Sequence, residues 1–230
     1  MQDAVLIIPA LNEEPVLGQT LASIPSGLFR QVIVADNGST DKTATVASAC
    51  GATVVREPQR GYGAACLKAL ATVPSDVEAV VFMQADGSED PREAPLLLSP
   101  IFDGRADLVL GSRVLGQAEK GALLPHQRFG NWLATALVQL FYGCRYTDLG
   151  PFRAIRLDSL AKLGMRDRDF GWTIEMQVKA LREGLRVMEV PVHCRARQAG
   201  ENKVSGNLKA SLHAGAKILW VLGRLVISRT

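Results

Sequence analysis

Short apolar runs alternate with helical patterns through the first half of the chain, and this alternation constrains the fold more than any other feature. The apolar runs lie at 5–8, 32–35, 53–55, 79–83 and 107–110. Strands that are apolar throughout are buried on both faces, and strands that alternate with helices pair in parallel. The sequence therefore predicts an α/β fold: a Rossmann-like, mostly parallel sheet flanked by helices on both faces. Asn12 follows the first run and is expected to cap the first helix.

The second half of the chain departs from this pattern. Three helices are predicted there, over 129–142, over 172–182 and from about 207 to 227. Two strand-like runs lie at 152–155 and 187–190. The alternation of strand and helix is therefore less regular beyond residue 115.

Residues 1–230 are expected to form a single domain, because no repeat, linker or low-complexity tract divides them. Within it, 1–115 holds the alternating pattern, 116–206 forms a second half, and 207–230 is a C-terminal amphipathic helix. A polar loop at 195–206 contains two glycines and is expected to fold over a bound ligand as a lid.

Composition excludes several classes of protein. Hydrophobic residues make up 47% of the 230 residues and charged residues 21%, as in an ordinary globular protein. A net charge of +3, no basic run and 6% aromatic residues argue against nucleic-acid binding. The four cysteines lie far apart without C-x-x-C spacing and are interpreted as reduced thiols. With no signal-peptide pattern and no uninterrupted apolar window of about 18 residues, we expect a cytoplasmic protein without a transmembrane helix.

Two aspartates stand where predicted strands end. Asp36 follows the run at 32–35, and Asp86 follows the run at 79–83. Ligands bind beyond the carboxyl ends of strands in open parallel sheets, so these positions predict a site for a nucleotide and its metal ion. Aspartate is also a common turn residue, and an ordinary strand-to-helix turn is the alternative at both positions. Gln84, two residues before Asp86, adds no second carboxylate.

Six short motifs are spread in order over nearly the whole chain. They are P-A-L-N-E at 9–13, D-N-G-S-T-D at 36–41, Q-A-D at 84–86, G-S-R at 111–113, D-L-G-P-F-R at 148–153 and G-E-N-K at 200–203. This series resembles family 2 glycosyltransferases with the GT-A fold, and most of all their dolichol- or polyprenyl-phosphate sugar transferase branch. The family carries D-x-D where this chain has Q-A-D, so Gln84 replaces the first aspartate.

The resemblance implies a site for a nucleoside diphosphate sugar, UDP- or GDP-linked, and a divalent cation, Mg²⁺ or Mn²⁺. The implied metal ligands are Asp86, Gln84 and Ser88. One carboxylate is enough for Mg²⁺, which often completes its shell with phosphate and water oxygens. Glu13 is implied to bind the donor, although it could instead only complement the N-terminus of the first helix. The residues implied to bind the donor are Pro9, Leu11, Glu13, Asp36, Gln84, Ala85, Asp86, Arg113, Arg197 and Lys203.

The same resemblance places Arg128 and Arg153 on the acceptor side and implies Asp86, Asp148 and Glu175 as catalytic residues. Asp148 precedes a Gly-Pro turn and could be only a structural cap. Glu175 could be a structural acid or a base. The alternatives stay open at both positions.

The implied activity is inverting transfer of a hexose to a polyprenyl-phosphate-type acceptor. A phosphate monoester is largely ionised at neutral pH and needs no base. A sugar hydroxyl needs a general base, for which Asp148 and Glu175 are the candidates. Two alternatives remain: a soluble transferase that acts on a sugar or small-molecule hydroxyl, and a nucleotide-sugar-binding protein with weak catalysis, which Gln84 suggests.

The last predicted helix carries a basic stripe. Lys209, His213, Lys217 and Arg224 share one face, and apolar residues including Trp220 occupy most of the remainder. A basic amphipathic helix with tryptophan suits a membrane interface, so peripheral binding to the inner face of a membrane is one expectation. A helix docked on the sheet with a solvated basic edge is the other.

Overall fold

The computed structural model describes residues 3–197 and 208–227. The strands are β1 Ala4–Ala10, β2 Gln31–Asp36, β3 Thr53–Arg56, β4 Ala79–Phe82, β5 Leu108–Ser112, β6 Arg153–Arg156 and β7 Val187–Pro191. The helices are α1 Glu14–Ala22, α2 Thr43–Ala49, α3 Tyr62–Leu70, α4 Ala94–Phe102, α5 Pro125–Tyr142, α6 Leu157–Leu163, α7 Trp172–Arg182 and α8 Leu208–Ile227, and a 3₁₀ turn at Pro91–Glu93 leads into α4.

The described strands form one sheet in the order β3-β2-β1-β4-β6-β5-β7. All run parallel except β6, which lies antiparallel between β4 and β5. The chain moves outward from β1 to β3 and then returns to the other side of β1 with β4. This reversal opens a crevice beyond the carboxyl ends of β1 and β4, where α/β sheets bind ligands. The predicted α/β class with a mostly parallel sheet is confirmed.

Helices cover both faces of the sheet. On one face α1, α2 and α4 pack through Leu17, Ala47 and Leu97. On the other face α3, α5, α7 and α8 enclose a second core, which includes Phe82 and Trp172. These two buried rings meet edge to face with centroids 5.9 Å apart. Because aromatic side chains bury the largest apolar areas, this pair fixes the start of α7 against β4.

The capping role predicted for Asn12 is wrong. The helix begins at Glu14, and Asn12 adopts a left-handed backbone with φ of 49°, which asparagine tolerates better than most residues. Its Oδ1 accepts a hydrogen bond from the Thr40 amide at 2.8 Å, and its own amide donates to Ser39 Oγ at 2.9 Å. Asn12 therefore joins the turn after β1 to the turn after β2.

The final helix docks on the body of the protein, which is one of the two expectations stated for it. Val221, Leu222 and Leu225 are buried, where α8 packs against α7 and α5. None of the described helices is long and apolar enough to cross a membrane. Of the polar loop at 195–206, only residues 195–197 lie within the described residues, and the side chain of Lys209 lies outside them.

Candidate functional site

A cavity of about 530 Å³ lies beyond the carboxyl ends of β1 and β4. It is the crevice that the reversal of strand order produces. The predicted donor residues that line it are Pro9, Leu11, Glu13, Gln84, Ala85, Asp86, Arg113 and Arg197, together with Ser88. These residues come from three of the six motifs, with Ser88 and Arg197 outside the motifs, and the fold brings them around one cavity. Lys203 lies outside the described residues.

The turn after β4 gathers three side-chain oxygens. Ser88 Oγ donates to Asp86 Oδ1 at 2.6 Å and lies 3.3 Å from Gln84 Oε1. The Ser88 amide also donates to Asp86 Oδ1, at 3.0 Å. Asp86 Oδ1 therefore holds the turn, as the structural alternative required. The other carboxylate oxygen, Oδ2, lies 3.5 Å from Arg197 Nη1.

This turn offers a metal ion oxygen atoms but little charge. In the part of the chain that the structure describes, no group of three His, Cys, Asp or Glu side chains is arranged to hold a metal. Oxygens of Asp86, Gln84 and Ser88 suit Mg²⁺ or Mn²⁺, since carboxylate and carbonyl oxygens are the preferred ligands of both. The donor set fits a hydrated cation that takes further ligands from phosphate.

Glu89 lies buried behind the turn, and sequence reasoning missed it. Its Oε2 accepts a hydrogen bond from the Gln84 amide at 2.7 Å. Its Oε1 is buried without a hydrogen-bond partner among the described residues. Burial raises the pKa of this carboxyl to about 8, and the neighbouring charge of Asp86 acts in the same direction. The only signal in the sequence was the position of Glu89 directly after Ser88. That position does not distinguish a buried acid from an exposed one.

Glu13 and Arg197 form an ion pair at the cavity wall, through Glu13 Oε2 and Arg197 Nη2. Both side chains are largely buried, with 9% and 16% of their surface exposed. Glu13 makes no side-chain capping bond to α1, so the purely helical alternative does not account for its position. Arg197 thus reaches two acids of the cavity, Glu13 and Asp86.

Asp36 does not line the cavity. It is buried, and its Oδ1 accepts a hydrogen bond from the Ser39 amide at 3.1 Å while Oδ2 lies 3.9 Å from Arg56 Nε. The turn-forming alternative describes these contacts. The next residue, Asn37, borders the cavity instead, and its Oδ1 accepts from the Gly61 amide at 2.8 Å.

The Asp148 carboxylate accepts hydrogen bonds from Arg113. The Arg113 guanidinium donates two hydrogen bonds of 2.8 Å to the Asp148 carboxylate, and the Arg113 amide donates a third at 2.9 Å. The Asp148 side chain is only 1% exposed. Both oxygens are occupied in this arrangement, and the carboxylate orients the arginine that faces the cavity. The contacts are those of the structural alternative, and the catalytic role of Asp148 stays a prediction.

Glu175 and Arg153 also turn out to be buried structural groups. The Glu175 carboxylate accepts hydrogen bonds from the amides of Arg166 and Asp167 and pairs with Lys179 Nζ at 2.8 Å. Arg153 donates to the carbonyl groups of Gly150 and Thr173, and burial lowers its pKa to about 10. Neither residue borders the cavity, because the strand and helix that carry them direct both side chains into the core. These contacts favour the structural alternative for Glu175, and the roles of base and acceptor ligand stay predictions.

Arg128 borders a separate cavity of about 560 Å³ beside α5. Its Nε donates to the Leu123 carbonyl oxygen at 3.3 Å. Arg145, Trp132 and Arg113 line the same space, and no acidic side chain is among its described lining residues. The chemistry of this space favours an anion.

An apolar groove of about 640 Å³ runs between α5 and α8. Phe129, Leu133 and Leu219 line it, and Tyr62, Gln84 and Arg113 connect it with the first cavity. Arg113 therefore borders all three spaces.

The loop at 165–171 completes the first cavity and was not predicted. Asp169 and Phe170 line it. The loop lies against the start of α3, where the amide of Gly63 donates to the Asp169 carbonyl at 3.3 Å and the amide of Ala64 to the Arg168 carbonyl at 2.8 Å. A Cβ on Gly63 would stand 2.1 Å from the Asp167 carbonyl oxygen. The G-Y-G sequence at 61–63 was the available signal, since it permits so close an approach.

Comparison with known proteins agrees with this geometry. Residues 5–164 match the model of glycosyl transferase family 2. A glycosyltransferase of Mycobacterium tuberculosis is 39% identical over 214 residues, which are 92% of this chain and 94% of the relative. A dolichyl-phosphate hexose transferase of Haloferax volcanii is 31% identical over 88% of this chain and 86% of its own. An undecaprenyl-phosphate mannosyltransferase of Micrococcus luteus is 28% identical over 88% of this chain and 87% of its own.

Among solved structures, glucosyl-3-phosphoglycerate synthase of M. tuberculosis, in complex with Mn²⁺, UDP and glucosyl-3-phosphoglycerate, has the same fold. The TM-score is 0.78 at 24% identity, over 97% of this chain and 79% of the synthase. The GT-A architecture is therefore confirmed. With its sequence match, its relatives and its crevice beyond β1 and β4 in agreement, the chain belongs to glycosyltransferase family 2 and is a glycosyltransferase.

Proposed function

We propose that this enzyme transfers a hexose, with inversion, from a nucleoside diphosphate sugar to a polyprenyl-phosphate-type acceptor. One observation carries the proposal: Gln84 and Arg113 border both the polar cavity that holds Asp86 and the apolar groove between α5 and α8. A polar donor and an apolar acceptor chain would therefore meet at the same place. The names of two relatives, which act on dolichyl phosphate and undecaprenyl phosphate, support it.

The charges of the cavity indicate how the donor would bind. Glu13 offers carboxylate oxygens to ribose hydroxyl groups, and Arg113 and Arg197 offer N–H donors to the diphosphate. Asp86, Gln84 and Ser88 would hold a divalent cation, which supplies positive charge to the leaving diphosphate when bound. Negative charge grows on the leaving group, so these cations favour the transition state over the bound donor. The UDP and Mn²⁺ in the solved neighbour support this arrangement.

On the acceptor side, the site favours an attacking group that is already ionised. The two acids proposed as bases, Asp148 and Glu175, are buried and fully engaged. An acceptor phosphate, with a second pKa near 6, attacks without losing a proton first. Arg113 lines the groove, and its guanidinium would bind that phosphate.

A lipid acceptor requires access to a membrane, and we propose that α5 and α8 provide it. Trp132 and Leu140 on α5 are exposed by 61% and 73%, and Trp220 on α8 by 56%. Lys217 Nζ and Arg224 Cζ lie 4.9 and 5.0 Å from the Trp220 ring centroid. Aromatic rings beside cations suit the interface of an anionic bilayer.

A second candidate is transfer to the hydroxyl group of a small anionic molecule. The cavity lined by Arg128 and Arg145 favours it, as does the phosphoglycerate acceptor of the solved neighbour. This reaction needs a base, and Asp169, which lines the donor cavity, is the described carboxylate available for it. Loss of transfer in Asp169→Asn, with donor binding unchanged, would favour the hydroxyl acceptor.

The first experiment assays purified protein with UDP- and GDP-hexoses, Mn²⁺ or Mg²⁺, and two acceptors: undecaprenyl phosphate in detergent and 3-phosphoglycerate. We expect transfer to the lipid phosphate. Asp86→Ala should lower kcat/KM by about 100-fold or more, the usual loss when one group that stabilises transition-state charge is removed. Asp103→Asn, an exposed acid at the end of α4, is the matched control and should retain activity.

Three results would contradict the proposal. Full turnover by Asp86→Ala in EDTA would remove the role of Asp86 and the metal. Transfer to 3-phosphoglycerate alone would establish the second candidate. Tight donor binding without transfer or hydrolysis would indicate a nucleotide-sugar-binding protein.

A further inference from the structure

Arg197 lies beside the carboxylate of Asp86, the one acid among the three predicted metal ligands. Asp86 Oδ1 is held by the amide and hydroxyl groups of Ser88, so Oδ2 is the oxygen turned toward the cavity. Arg197 Nη1 lies 3.5 Å from that oxygen. The same guanidinium is bonded to Glu13 through Nη2. A side chain of this protein therefore already supplies positive charge to both acids.

Two cations in this space repel each other. Asp86 and Arg197 are only 18% and 16% exposed, so water screens their charges much less than at an open surface. A divalent cation that binds Asp86 Oδ2 must displace the guanidinium or share the carboxylate with it. Either arrangement weakens binding of the metal, because a like charge nearby raises the electrostatic free energy of the ion.

A bound diphosphate changes this balance. It brings two or more negative charges into the cavity, and a guanidinium binds phosphate oxygens through paired N–H groups. Arg197 Nη1 then has a phosphate oxygen as partner in place of Asp86 Oδ2, and the carboxylate oxygen becomes available to the metal. The competition between the two cations ends once the donor is present.

We propose that Arg197 acts as a resident cation that opposes divalent-metal binding in the donor-free enzyme and transfers to the diphosphate when donor and metal bind together. The inference rests on the proposed donor site and concerns its regulation. The proposal predicts an order of binding, in which the metal enters with the nucleotide sugar rather than before it. Substitution of Arg197 should therefore have opposite effects on the two ligands, since the side chain opposes one and binds the other.

The test measures Mn²⁺ binding to the full chain without nucleotide, from the electron paramagnetic resonance signal of free Mn²⁺. Arg197→Gln should tighten Mn²⁺ binding by about 5-fold or more, the lower end of usual coupling between ligands. In a second titration, at saturating Mn²⁺, the same variant should bind UDP-glucose about 10-fold more weakly than wild type, as expected when a charged hydrogen-bond donor to phosphate is lost.

Arg60→Gln is the matched control. Arg60 lines the same cavity and donates to the Gly38 carbonyl oxygen at 3.0 Å, so the substitution removes an equal charge away from Asp86. It should change Mn²⁺ affinity much less than Arg197→Gln. Asp86→Ala shows which part of the measured Mn²⁺ binding belongs to this site.

The outcomes separate the inference from the function on which it rests. Equal Mn²⁺ affinity in wild type and Arg197→Gln, with binding that Asp86→Ala abolishes, would overturn the inference and leave the metal site intact. Equal tightening by Arg60→Gln would also overturn it, because the effect would then reflect the general charge of the cavity. Mn²⁺ binding that Asp86→Ala leaves unchanged would overturn both the metal site and the inference.

Discussion

Individual acids in this enzyme show how burial decides the role of a side chain. Asp148 and Glu175 belong to residue types that serve as bases, and Asp148 begins the motif at 148–153. The structure surrounds one with Arg113 and the other with two amides and Lys179. Neither carboxylate lines the cavity beyond β1 and β4, and the oxygens of both are engaged. Their contribution in this arrangement is to hold other groups in place.

Glu89 allows a direct test of a buried acid at the scale of one residue. Its pKa is raised to about 8 in the folded protein, mainly by burial, from an ordinary value of 4.5. Below pH 4.5 the group is protonated in both the folded and the unfolded chain. Between these two values only the unfolded chain releases the proton, so the free energy of unfolding falls as the pH rises and levels off above about 8.

The glutamine side chain of Glu89→Gln cannot ionise. The free energy of unfolding of this variant should therefore not fall with rising pH in this way. We expect its melting temperature, relative to wild type, to rise by several degrees between pH 5 and pH 8 in EDTA, because 1 kcal/mol corresponds to about 2–4 °C in a chain of this size. Calorimetry at several pH values measures it. Glu183→Gln, at an exposed position after α7, should follow the wild-type profile. A difference between Glu89→Gln and wild type that is independent of pH would show that Glu89 is not a raised-pKa acid.

At the scale of elements, the contact between α3 and the loop at 165–171 positions part of the proposed donor cavity. Gly63→Ala would place a Cβ 2.1 Å from the Asp167 carbonyl oxygen and 2.9 Å from its carbon. Backbone atoms yield little, so we expect a loss of about 1–3 kcal/mol in the free energy of unfolding, typical of overpacking. Donor affinity should fall as well, because Asp169 and Phe170 of this loop line the cavity.

Gly18→Ala is the control for this substitution. Gly18 lies in α1, and its Cβ would meet Val46 Cγ1 at an ordinary 3.5 Å. Alanine also favours a helix over glycine, so this variant should be neutral or slightly stabilising. Urea denaturation of both variants gives the comparison. Equal stability of Gly63→Ala and wild type would mean that the loop is free to move off α3.

The elements differ in how well the sequence predicts them. The first five strands and α7 were predicted because continuous apolar runs and helical spacing report burial directly. The start of α5 was placed at 129, whereas the helix begins at Pro125, because proline at the first helical position was not used as a signal. α6 was missed, since seven residues give too short a period to recognise. The loop at 165–171 reaches the site through tertiary contact, which no local pattern encodes.

At the scale of the whole molecule, the exposed apolar residues of α5 and α8 predict binding to anionic vesicles. Leu140→Glu combined with Trp220→Ser should reduce the fraction of protein that floats with such vesicles several-fold, because apolar area and an interfacial ring are both lost. Binding should also weaken at high salt, which screens Lys217 and Arg224 from the headgroups. Flotation at two ionic strengths measures both effects.

Leu96→Glu is the matched control for the membrane surface. Leu96 is 50% exposed and lies on α4, which covers the opposite face of the sheet. It should leave flotation unchanged. Equal binding by the wild type and the double variant would exclude α5 and α8 as the surface that contacts lipid.

Arg113 stands where the polar cavity, the arginine-lined space and the apolar groove adjoin. A substitution there alters the surroundings of every substrate at once, so affinity for one cannot be tuned through this position without disturbing the others. Divergence of specificity within such a scaffold must then proceed through side chains that border a single compartment, such as Arg145 or Leu219. Changes of selectivity are therefore expected at those side chains rather than at Arg113.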